Sequence, residues 1–181
     1  MKNLKKLSLA ALLAALCLVG TLISIPLPTG YANLGDCLAF ASGFVLGGPW
    51  GIVAAALGSA LADLILGWAI YMPATAILKG IIAVMGMICA KAIYSKSARP
   101  VLKRVLLPIL SLSGEIIMVC GYFAYECFAL GVGEAAIASV PVNIGQGVVG
   151  VVASVAITAA FMKIPALARL VSAKNDFIEK K

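Results

Sequence analysis

Apolar residues run along this chain in long blocks, at about residues 7–25, 38–68, 73–92 and 105–161, divided by Pro, Gly and charged positions. A bilayer core takes about 20 apolar residues per helix. Transmembrane β-strands would instead show roughly ten-residue segments of alternating polarity, and none is evident. The pattern predicts an all-α integral membrane protein folded as one transmembrane domain over residues 1–181. The basic start and first apolar block also fit a signal peptide, but no small-residue cleavage site precedes the Pro26–Pro28 turn. The block is therefore read as the first span.

Charge fixes the number of spans. Thirteen of the 14 Lys and Arg residues fall into three clusters: Lys2, Lys5 and Lys6; Lys91, Lys96, Arg99, Lys103 and Arg104; and Lys163, Arg169, Lys174, Lys180 and Lys181. Only Lys79 stands apart. Basic flanks stay in the cytoplasm, so an even number of spans must separate successive clusters. The stretch 38–68 is long for one span and short for two. Splitting it at Gly47-Gly48-Pro49 restores the parity and puts Pro49 where a helix start tolerates it; a re-entrant hairpin is the alternative. A break near Leu130-Gly-Val-Gly-Glu134 divides the last block. Six transmembrane helices follow, at about 7–25, 36–48, 50–68, 73–92, 105–129 and 136–161, with N and C termini cytoplasmic and 162–181 as a basic cytoplasmic tail.

This topology gathers the polar residues of the spans towards the outer side. Asp36, Asp63, Tyr71, Thr75, Lys79, Tyr122, Glu126, Asn143 and Gln146 fall in the outer part, and Glu115 lies nearer the middle. Charges within a bilayer usually face the bundle interior and find partners. Lys79 and Glu115 are therefore expected either to pair with each other or to bind a ligand. Asp36 reads as a cap of the second span, and Asp63 as a partly hydrated residue near the interface. Asn143 and Gln146, three apart, share a helix face and are read as ligand contacts, under a roof made by the loop from Pro26 to Gly35 with Tyr31 and Asn33. Small residues four apart, Ala10 with Ala14, Ala11 with Ala15 and Gly43 with Gly47, allow close helix approach. The inner half looks nearly bare of polar groups.

Composition narrows the chemistry. Of 181 residues 63% are hydrophobic and 12% charged. The net charge of +7 lies at membrane flanks and does not point to nucleic acid. With five scattered cysteines and no histidine, a metal site or cofactor has little to build from. No phosphate-binding Gly-x-x-x-x-Gly-Lys-Ser/Thr loop or hydrolase motif is present, so binding outranks catalysis and the chain is not expected to be an enzyme.

Four strings add a resemblance: Tyr31-Ala-Asn-Leu-Gly-Asp36, Leu46-Gly-Gly-Pro-Trp-Gly51, Gly58-Ser-Ala-Leu-Ala-Asp63 and Tyr71-Met-Pro-Ala-Thr-Ala-Ile-Leu-Lys-Gly80. In this order and spacing the chain resembles the substrate-binding S components of bacterial energy-coupling factor (ECF) vitamin transporters, of the riboflavin type. The resemblance implies a six-helix bundle in the bacterial cytoplasmic membrane that captures a vitamin from outside. It further implies docking on a transmembrane T component powered by two cytoplasmic ATPases. Ligand contacts are implied at Tyr31, Asn33, Tyr71, Lys79, Glu115, Tyr122, Asn143 and Gln146, and partner docking at Ala10 and Ala14. Riboflavin, pyridoxine and a hydroxymethylpyrimidine are the substrates of the branch. A paired acid and base with few aromatics favours the smaller rings. The rival readings are a self-sufficient secondary transporter or channel, which needs an ion site or a polar path through both halves, and an intramembrane enzyme using Glu115, Glu126 and Asp63.

Overall fold

Within a bilayer each apolar block must satisfy its own backbone N–H and C=O groups, and a helix does so locally. The computed structural model describes residues 2–27, 30–95 and 100–171, with side chains at 4–23, 32–95 and 105–171. It contains α1 (Lys2–Leu22), β1 (Ser24–Leu27), β2 (Gly30–Asn33), α2 (Gly35–Val45), α3 (Gly48–Ile65), α4 (Met72–Tyr94), α5 (Pro100–Ala124) and α6 (Val140–Lys163). A 3-10 turn at Ala69–Tyr71 leads into α4, a π turn at Tyr125–Ala129 ends α5, and a 3-10 segment at Gly133–Ser139 leads into α6. Five helices are long and apolar enough to cross a membrane, and α2 is the shorter sixth. Among the described residues the protein is thus a nearly all-helical bundle of the membrane type, built on six principal helices.

The first helix ends at Leu22 rather than near residue 25, and the expected roofing loop is a hairpin. Pro26 has no N–H to donate and biases Ile25 towards extended backbone, which stops helix growth. Ser24 and Ile25 instead pair antiparallel with Asn33 and Ala32.

The split at Gly47-Gly48-Pro49 is where α2 gives way to α3. Both glycines have positive φ, 52° and 55°, a conformation that costs a residue with a Cβ but not glycine. Pro49 occupies the first turn of α3. The helix before this break is shorter than anticipated. At 11 residues, α2 is about 16 Å long, half of a bilayer core. It lies at the centre, in contact with α1, α3, α4 and α6, and every residue except Leu38 is buried. The Gly48 N–H contacts the Met87 sulfur at 3.1 Å, seven residues before α4 ends, so the turn sits about 10 Å from the inner end of α4.

The chain fills the space below that turn with its own C-terminal part. Residues 165–171 are helical. Val171 is buried in the apolar cluster that also holds Phe44, Ile93 and Leu107, with Leu9, Tyr94, Phe161 and Leu167 packed around it. Over residues 165–171 the expected basic tail at 162–181 is thus a helix whose Leu167 and Val171 pack against the bundle. The remainder of that tail, with Lys174, Lys180 and Lys181, lies outside the described residues.

Two further expectations are corrected by packing. Ala10 is buried with Leu13, Leu46 and Ala54, and Ala14 packs beside them, so this pair faces α3. Ala11 and Ala15 are the exposed small pair on α1. The inner half carries hydroxyls as well as apolar side chains: Ser111, Ser154 and Thr158 are buried with oxygens that have no hydrogen-bond partner among the described residues.

Candidate functional site

At the centre of the bundle the Lys79 ammonium lies 2.5 Å from Asp36 Oδ1, and the two side chains are 1% and 0% exposed. A lone buried charge is costly, so opposite charges from adjacent helices converge. Lys79 therefore pairs with Asp36 and not with Glu115. Asp36 is not a helix cap either: it lies inside the first turn of α2, whose N-cap position is Leu34. Its second oxygen, Oδ2, accepts from Gln146 Nε2 at 2.7 Å. Gln146 Oε1 accepts from Asn33 Nδ2 at 3.2 Å, and Asn33 Oδ1 accepts from the Gly35 N–H at 2.9 Å. This relay ties α4, α2, α6 and β2 together through one ion pair and three hydrogen bonds.

Above the relay, at the outer end of the bundle, lies a cavity of about 230 Å³. Asn33 and Gln146 contribute to its lining together with Asp63, Trp68, Tyr71, Thr75, Tyr122, Glu126, Ser139, Val142 and Asn143. Aromatic rings make one wall. Tyr71 is central, with ring centroids 6.1 Å from Trp68, 6.4 Å from Tyr122 and 6.2 Å from Tyr125, spacings at which aromatic pairs attract. Hydroxyls lock the wall: the Thr75 and Tyr122 oxygens are 2.7 Å apart, and Tyr125 donates to the Ile70 carbonyl at 2.6 Å. Glu126 in the π turn accepts from the Tyr71 hydroxyl at 3.3 Å and from the Ser139 hydroxyl at 2.5 Å.

Of the residues singled out from sequence, Asn33, Tyr71, Tyr122, Asn143 and Gln146 line this cavity. The side chain of Tyr31 lies outside the described residues; its backbone is in β2, opposite Pro26. Lys79 is sealed beneath the cavity by its pairing with Asp36. Glu115 is elsewhere, 3% exposed, packed against Gly147 and Gly150 of α6, with Oε2 unpartnered among the described residues. Asp63, expected at a hydrated interface, is 7% exposed.

Sequence reasoning did not choose Asp63, Trp68, Thr75, Glu126, Ser139 or Val142 as site residues. Three of these carried a signal, since Asp63, Thr75 and Glu126 share the outer depth of the chosen ones. Trp68 and Ser139 lie at connections between helices, where hydropathy gives no indication of facing. The expectation of few aromatics beside the site is overturned by Trp68, Tyr71 and Tyr122.

A polar and aromatic cavity in the outer half of a helical membrane bundle defines a membrane-embedded binding protein for a small solute. The chain matches the family model described as ECF-type riboflavin transporter, S component, over residues 1–163. It therefore belongs to that family and is a membrane substrate-binding subunit of an ECF transporter. No match was found among curated proteins or among solved structures.

Proposed function

We propose that this chain captures a B vitamin or vitamin precursor with a planar heteroaromatic ring from outside a bacterial cytoplasmic membrane, and delivers it through a T component driven by two cytoplasmic ATPases. The observation that carries the reading is the outer cavity, with an aromatic wall formed by Trp68, Tyr71 and Tyr122 and a polar floor formed by Asn33 and Gln146. A cleft with one aromatic wall and a polar floor can orient a planar ring by its polar edge while the aromatic side chains supply contact area. Riboflavin is the first ligand to test, because the family model bears that name. Pyridoxine and hydroxymethylpyrimidine are the smaller alternatives. Asn33 gives the hairpin a direct link to the floor, so ligand and hairpin share one set of hydrogen bonds.

Mass spectrometry of the small molecule that co-purifies with the protein should find such a ring. Uptake of it by cells should require co-expressed T component and ATPases. Full transport by this chain alone, driven by an ion gradient, would overturn the reading in favour of a self-sufficient transporter.

A further inference from the structure

Charge at the cavity is one-sided. Asp63 and Glu126 both line it, at 7% and 8% exposure. The outer connections of the sequence, at 23–35, 66–71 and 130–139, contain no Lys or Arg, and the chain has no His. Thirteen of the 14 basic residues belong to the cytoplasmic clusters, and the remaining one, Lys79, is held by Asp36. No cation of this chain is therefore placed to meet an anionic ligand.

The two carboxylates differ in what they have to offer. Both oxygens of Glu126 already accept from hydroxyls, those of Tyr71 and Ser139. Asp63 Oδ2 is buried and has no partner among the described residues. A buried acceptor without a donor is costly, and because Asp63 belongs to the cavity lining, an N–H or O–H of an occupant that reaches its carboxylate would relieve that cost. One feature runs the other way: α6 begins at Val140 beside the cavity, and the N-terminus of a helix favours an anion. That end is already served by the anion Glu126 through Ser139. Pro141, in the first turn, also removes one of its free N–H groups.

The geometry points to a site selective for the unphosphorylated, neutral or cationic form of its ligand, with Asp63 accepting a ligand N–H or O–H and the Asp63–Glu126 pair excluding phosphate monoesters. A phosphate would bring about two negative charges into a poorly solvated cavity that already holds two carboxylates. Repulsion there is screened far less than in water. Selection of this kind is negative: the wrong form is rejected by a clash of charge rather than by weaker contacts. It rests on the proposed vitamin-binding function of the same cavity.

The test is a set of paired titrations of the full-length protein in detergent, stripped of co-purified ligand and read by isothermal calorimetry. The pairs are riboflavin with its 5′-phosphate, pyridoxine with its 5′-phosphate, and hydroxymethylpyrimidine with its phosphate. In the pair that binds, the phosphate ester should be weaker by roughly 100-fold. Glu126→Gln and Asp63→Asn, which remove one negative charge each at nearly constant shape, should each narrow that gap by about tenfold. Having two variants keeps the test intact if one fails to fold. A phosphate ester that binds within about threefold of its parent, roughly 0.7 kcal/mol, overturns the selectivity while leaving vitamin binding in place. So does a gap that neither variant narrows. If no member of any pair binds, the function itself fails and the selectivity with it.

Discussion

Asp36 and Lys79 are the residues on which the site depends most, although neither lines the cavity. Each is almost completely buried, so removing either one strands a charge, which costs about 3–5 kcal/mol. Removing both charges together is far cheaper, because an apolar or neutral pair in the same space avoids desolvation. Lys79→Met should therefore lower the thermal unfolding temperature of the purified protein sharply. Lys79→Met combined with Asp36→Asn should recover most of the loss, since the new amide side chain keeps an oxygen for Gln146 Nε2. Additive effects in this cycle, measured by thermal unfolding in detergent, would show that the two side chains are not coupled. The charges themselves were legible in the sequence, because intramembrane ionisable residues are rare enough to be noticed singly. Their pairing was not. Hydropathy assigns depth but not facing: Asp36 shares the outer depth of Lys79, yet at the start of its span it reads as a cap rather than as a partner. Glu126 and Ser139 were passed over for a similar reason: a π turn and a 3-10 segment carry no periodicity from which a facing direction can be read.

Helix contacts in this bundle depend on glycine. A Cβ at Gly43 of α2 would collide with the Ala83 backbone of α4, and one at Gly86 of α4 would collide with the Phe40 carbonyl of α2. The two helices therefore meet backbone to backbone, as small residues permit, and this holds the short α2 at the centre despite its length. A Cβ at Gly80, on the same helix as Gly86, would meet only Ile52 Cγ2 at 3.5 Å, an ordinary contact. Gly43→Ala should consequently destabilise the fold, at or above the roughly 1–3 kcal/mol typical of overpacking, because backbone cannot move aside as a side chain can. Gly80→Ala should leave the unfolding temperature nearly unchanged. The ratio of monodisperse to aggregated protein after heating distinguishes the two, and equal behaviour would refute the backbone contact. At this scale the sequence was informative where punctuation is strong: Gly47-Gly48-Pro49 marks the α2–α3 break because two positive-φ residues and a proline leave few alternatives. It was poor on the hairpin at Ser24–Asn33, since strand pairing between four-residue segments depends on register rather than on composition. It was equally poor on the helix at 165–171, because a short amphipathic helix beside a basic cluster reads as a tail until its apolar side finds the gap left by α2.

The whole molecule presents lipid-facing surface on most of α1, where Leu12, Leu16 and Val19 are 57%, 38% and 49% exposed. Within this surface Ala11 and Ala15 form a smooth strip, and their neighbours Ala10 and Leu13 are turned inward onto α3. Small side chains four apart let another helix approach closely without displacing anything, whereas inward positions are already filled. If the T component docks on α1, as the family resemblance implies, the exposed pair is the part of the helix free to receive it. The alternation also separates docking from folding. A bulky residue at Ala11 or Ala15 projects into lipid, where the bundle has no side chain to displace; at Ala10 it must displace Leu46 or Ala54. Ala11→Trp and Ala15→Trp should therefore retain the unfolding temperature and the affinity for the co-purifying ligand while losing co-purification with the T component. Ala10→Trp should lower the unfolding temperature by the equivalent of about 1–3 kcal/mol. Retention of the T component by both exposed-face variants would move the docking surface off this side of α1. Loss of ligand affinity in the same variants would instead mean that α1 transmits its packing to the cavity through the Leu34 N–H, which donates to the Gly20 carbonyl at 2.9 Å and is the chain neighbour of Asn33 in the relay.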